Sequence, residues 1–130
     1  MALSVDAMSV SRIKTQEYAD RLLESPAARI SVTLKRWESG VTLLHRRRAI
    51  ARCHASRVGM WTAAFMAQAL GVDLPPVGEA VTAQVSSGTL WRAVGISSLD
   101  LRKSEARVLL GRLLNEAEMQ RNAGTGAESH

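Results

Sequence analysis

Residues 30–44 read Ile30-Ser31-Val32-Thr33-Leu34-Lys35-Arg36-Trp37-Glu38-Ser39-Gly40-Val41-Thr42-Leu43-Leu44, and the period assigned to them decides the fold. Ile30, Leu34, Trp37, Val41 and Leu44 step by four, three, four and three, which keeps them on one helical stripe. At about 100° per residue, Arg29, Lys35, Arg36, Arg46 and Arg47 fall on the opposite side. Ile30 to Leu34 also alternates apolar with polar as a strand does, but the helical continuation through Leu44 is longer. The spacing therefore predicts a basic amphipathic helix.

Upstream, Ser25-Pro26 is a helix-start signal: a serine oxygen accepts an orphan backbone N–H, and proline has none to lose. Downstream the stripe breaks, because the same phase would place Arg48 and Arg52 on the apolar face while Leu43, Ile50, Trp61 and Phe65 define a rotated one. Gly40, unfavourable in a helix by about 1 kcal/mol against alanine, lies close by. Residues 26–70 are thus either one kinked helix or two helices separated near Ser39-Gly40. The end is punctuated by Gly71 for a left-handed cap, Val72 for its hydrophobic contact, and Pro75-Pro76.

Further out, Val10, Ile13, Tyr18 and Leu22 give Ser9 to Ser25 an amphipathic pattern. Val77 to Val94 reads as short helices, and Ser98 to about Arg121 as a longer one with Leu101, Val108, Leu109, Leu113 and Ala117 on its apolar side. The expected fold class is all-α: a small bundle of four to five helices with one long central helix or kinked helix pair. Residues 1–121 form a single helical domain in this reading, and the Gly-, Ala- and polar-rich residues 122–130 a disordered tail.

Charge is concentrated where the period is ambiguous. Arg29 to Arg57 holds eight bases against the single acid Glu38, whereas the remainder of the chain carries nine bases and 11 acids. A local field of one sign selects an anionic partner. Nucleic acid, taken as DNA, is the first candidate and an acidic protein the second, with a homo-oligomer expected. One cysteine, Cys53, excludes an intramolecular disulfide and a multi-cysteine zinc site. Val58 to Leu74 is apolar and follows arginines, but it includes Gln68 and Asp73 and falls short of the roughly 20 apolar residues a span requires. No basic n-region leads into an apolar h-region, so a cytoplasmic protein without membrane contact is expected.

Catalytic motifs do not emerge. Cys53 and His54 are adjacent and on a helix point about 100° apart, and His45 lies nine residues from His54 rather than at the metal-binding spacing of four. No phosphate loop is present. A non-enzymatic chain without cofactor or metal is the expectation. One segment stands out: Val85-Ser86-Ser87-Gly88-Thr89-Leu90-Trp91-Arg92, continuing to Val94, resembles the turn and recognition-helix start of TetR-type helix-turn-helix regulators. That resemblance implies a small DNA-binding regulator in which Ser86, Ser87, Thr89 and Arg92 approach bases. The backbone contacts then fall to Arg46, Arg47, Arg48 and Arg52. The other reading is a helical interaction protein, such as a chaperone, adaptor or assembly subunit, whose basic helix docks an acidic partner.

Overall fold

A computed structural model describes residues 27–128. The elements run β1 (Arg29–Trp37), β2 (Gly40–His45), β3 (Arg48–His54), α1 (Arg57–Leu70), β4 (Ala80–Ser86), α2 (Ser87–Ser97) and α3 (Ser104–Glu128). The strands form one antiparallel sheet in the order β3-β2-β1-β4. The all-α bundle is thereby corrected to a mixed α/β domain with a four-stranded sheet and three helices. The expected helix at Ser9–Ser25 lies outside the described residues.

The decisive stretch is a β-hairpin. Trp37 faces Gly40 across the Glu38-Ser39 turn, and Leu34 pairs with Leu43, so the apolar residues on one face meet across strands instead of along a helix. Val32, Leu34, Val41 and Leu43 are buried, while Ser31, Thr33, Lys35 and Thr42 alternate to the other face. Helical spacing mixed two faces: Leu34 and Val41 point inward, whereas Trp37 and Leu44 point outward with Thr33 and Thr42. Arg36, expected on the solvent side, is on the inner face, and its guanidinium donates to Pro75 O at 3.3 Å from beneath the loop after α1. The long stem of arginine permits this by reaching from an apolar surface to a polar rim.

All three helices pack on the inner face. Met66 and Leu70 of α1, Leu90 and Ile96 of α2, and Leu110 and Ala117 of α3 join the strand residues in one core. Two helix ends match their punctuation. Gly71 caps α1 at φ 78°, with Val72 N–H donating to Ala67 O at 3.1 Å. Ser86 caps α2 by accepting Thr89 N–H at 3.0 Å. α3 begins at Ser104, after a bend in which both Arg102 Nε and its backbone N–H donate to Asp100, and it continues to Glu128. Paired to Arg102, the Asp100 carboxyl titrates at about 2. No helix among the described residues is long and apolar enough to cross a membrane.

Candidate anion-binding surface

None of the four strands contains an aspartate or glutamate, yet they carry Arg29, Lys35, Arg36, Arg48 and Arg52. Arg36 lies on the inner face and Arg48, paired with His45, is exposed at the hairpin tip on the inner-face side, whereas Arg29, Lys35 and Arg52 project from the outer face. No described helix covers that face. Acidic residues instead populate the helix layer, as with Glu105, Glu116 and Glu118 on α3.

The outer face has three zones along the strands. At one end Trp37 is 45% exposed. Its indole N–H donates to Thr42 Oγ1 at 3.1 Å, and Lys35 Nζ sits 4.1 Å from the ring centroid. Both contacts hold the ring in place, and the second adds a cation–π attraction. Arg52, exposed on β3, is level with Thr42 and Lys35 across the sheet. The middle zone is hydroxyl-rich, with Thr33 and Thr82 hydrogen-bonded to each other at 3.1 Å. At the far end, Arg29 donates to Gln84 O at 2.9 Å and sits beside the β2–β3 turn.

That turn is unusual in its residues. His45 pairs with Arg48, leaving Arg46 and Arg47 as a two-residue loop with φ of 54° and 65°. Two-residue hairpin loops with both centres at positive φ match the twist of the strands, and they strongly prefer asparagine followed by glycine because other side chains clash with the backbone. Each arginine there costs about 1–2 kcal/mol. The double substitution Arg46→Asn with Arg47→Gly, R46N/R47G, is expected to raise unfolding free energy by about 1–2 kcal/mol in urea denaturation. An unchanged or lower midpoint would show that the arginine side chains stabilise the tip.

Arg29, Ile30, Ser31, Thr33, Leu44, His45, Arg46 and Arg47 line an open concavity of about 570 Å³ between β1 and this turn. Partial burial and, secondarily, the neighbouring Arg46 charge hold the His45 pKa below its ordinary value. A second concavity, of about 500 Å³, lies where β3, α1 and the loop after α2 meet, and Cys53 lines it. Burial pushes the Cys53 thiol up to about 11, so it is protonated at neutral pH and a poor nucleophile. Among the described residues, no group of three or more His, Cys, Asp or Glu side chains is placed to hold a metal ion.

The eight residues selected from sequence separate into two groups. Arg46, Arg47 and Arg48 are exposed at the hairpin tip and Arg52 on the outer face. Ser86, Ser87 and Thr89 lie inside the protein at the β4–α2 junction, where Ser86 Oγ donates to Thr89 Oγ1 at 2.8 Å and Ser87 Oγ donates to Ala28 O at 3.3 Å. Arg92 is turned to the helix layer and paired with Glu116 at 3.1 Å. The helix-turn-helix expectation is corrected accordingly: a strand, not a helix, precedes the capped turn at Ser86, and the first turn of α2 is buried. The helical DNA-binding regulator and the helical adaptor both relied on the all-α architecture and fall with it. The helical spacing placed Trp37 on an apolar stripe, and neither it nor Thr33 and Thr82 was among the expected site residues. The signal for Thr33 was the five-residue alternation beginning at Ile30, which contains neither Trp37 nor Thr82.

The chain matches no protein-family model, no curated protein and no solved structure.

Proposed function

We propose that this chain is a non-catalytic module that holds a single-stranded nucleic acid along the open face of its sheet. The observation that carries this reading is the one-sided charge. Arg29, Lys35 and Arg52 share the outer face, and Arg46 and Arg47 of the β2–β3 turn border it, on a sheet whose strands contain no carboxylate. A basic surface tracking a phosphate backbone supplies affinity independent of sequence, and an aromatic side chain adds a stacking platform for an unpaired base. From Ser31 to Trp37 the face extends about 20 Å at the usual strand rise, enough for several nucleotides between the arginine end and the tryptophan.

Two features favour a nucleic acid over an acidic protein segment, and a single strand over a duplex. The face is rich in hydroxyls, with Ser31, Thr33, Thr42 and Thr82, and Leu44 is its main large aliphatic residue, so it lacks the apolar stripe on which an amphipathic peptide docks. Arg46 and Arg47 come one residue, His45, after the Thr33↔Leu44 pair, level with the start of β1. The hairpin therefore does not project as a free ribbon of the kind that enters a major groove.

Fluorescence anisotropy with a labelled 12-nucleotide oligouridylate across a salt series tests the proposal. The logarithm of affinity is expected to fall linearly with that of salt, at about 0.7 per phosphate contacted, and R46N/R47G to shallow the slope by about 1.4. Trp37→Ala is expected to weaken binding at least ~5-fold, the lower bound for a lost base stack. Absence of binding at low salt, or stronger binding of polyglutamate than of the oligonucleotide, overturns the reading.

A further inference from the structure

We infer that the concavity between β1 and the β2–β3 turn is a pocket for a terminal phosphate, the phosphomonoester at one end of the bound strand. This rests on the reading of the sheet face as a single-strand surface and assigns one of its ends. Three arginines, Arg29 from β1 and Arg46 and Arg47 from the turn, line the concavity together with Ser31 and Thr33, and no aspartate or glutamate lines it. An internal phosphodiester carries one negative charge. A terminal monoester carries about −1.5 to −2 at neutral pH and presents three acceptor oxygens, so a concavity lined by three arginines discriminates in its favour.

The backbone supplies a second, independent observation. Arg46 and Arg47 occupy the left-handed positions of a tight turn, where asparagine and glycine cost far less. Strain of this kind concentrates where a fixed geometry serves a ligand, and a two-residue loop between paired strands holds both side-chain origins with little freedom to lose on binding. Arg29 is likewise fixed, since one of its N–H groups donates to Gln84 O while its remaining donors are available to a ligand. The pocket lies at the end of the outer face opposite Trp37, where a strand lying along the face terminates.

Binding of 5′-phosphorylated, 3′-phosphorylated and unphosphorylated 8-nucleotide oligouridylates at constant salt tests the inference. One phosphorylated form is expected to bind at least ~10-fold more tightly than the unphosphorylated oligomer, on the scale of a charge-assisted contact. In R46N/R47G that ratio is expected to fall to within ~2-fold, whereas Trp37→Ala weakens all three oligomers alike and retains it. Separately, titration with inorganic phosphate is expected to move the His45 ring resonances saturably in the unmodified protein and not in R46N/R47G. Equal affinity for all three oligomers together with an unresponsive His45 overturns the pocket while leaving the sheet-face reading intact. A saturable phosphate response without oligonucleotide binding supports the pocket and overturns the sheet-face reading.

Discussion

Gly40→Ala is expected to remove about 2–6 kcal/mol of folding stability, a large share of the total of about 5–15 kcal/mol that a domain usually possesses. Two costs combine at this position. Gly40 has φ of 146°, a conformation that residues with a side chain rarely adopt, and forcing one there costs about 1–3 kcal/mol. A Cβ at Gly40 would also meet backbone, 2.0 Å from Cys53 O and 3.1 Å from His54 Cα on the neighbouring strand. Backbone cannot rotate aside as a side-chain tip does, so relief requires opening the Gly40↔His54 end of the β2–β3 pairing. Overpacking of this sort adds about 1–3 kcal/mol. Urea denaturation followed by circular dichroism reads the effect as a lowered midpoint at unchanged slope. A loss under about 1 kcal/mol would mean that β2 and β3 do not close on each other at Gly40 as described.

The second large effect separates the two ways of reading residues 30–44. Leu43 is fully buried on the inner face, opposite Leu34, whereas Leu44 is half-buried on the outer face. A helix with Leu44 in its apolar stripe would make Leu44 the costly truncation. In the sheet, Leu43→Ala is expected to cost about 2–5 kcal/mol through lost burial and the cavity left behind, and Leu44→Ala under about 1 kcal/mol. Because Leu34 and Leu43 would share one cavity, Leu34→Ala and Leu43→Ala are expected to be non-additive. Equal losses at Leu43 and Leu44 would refute the face assignment.

Much of the site was present in the sequence without its geometry. The accumulation of arginines between Arg29 and Arg57 is a property of composition, and it becomes the basic rim and outer face of the sheet whatever period is assigned. Arg48 and Arg52 fit no helical face because they lie on a strand, and a register shift between them leaves Arg48 paired with His45 and Arg52 with Thr42. Arg52 lies opposite Thr42 on the outer face, and the adjacent Ala51 and Cys53 are buried. The Ser86-Ser87-Gly88-Thr89 segment did announce a helix start. Its exposure was not legible, because a capping hydroxyl looks the same in sequence whether its helix faces solvent or a core.

Local chemistry alone determined the cap at Ser86, the stop at Gly71 and the one-sided charge, since each depends on neighbouring residues or on composition. The tertiary structure decided that residues 29–54 are strands. β1 gains its second partner from β4, whose pairing of Val32 with Ala83 and Leu34 with Val81 joins segments separated by the whole of α1. A spacing of fours and threes satisfied a helix within one segment. The buried hairpin is favoured only once distant strands supply its hydrogen bonds and the helices cover one of its faces, leaving the other face to its arginines and Trp37.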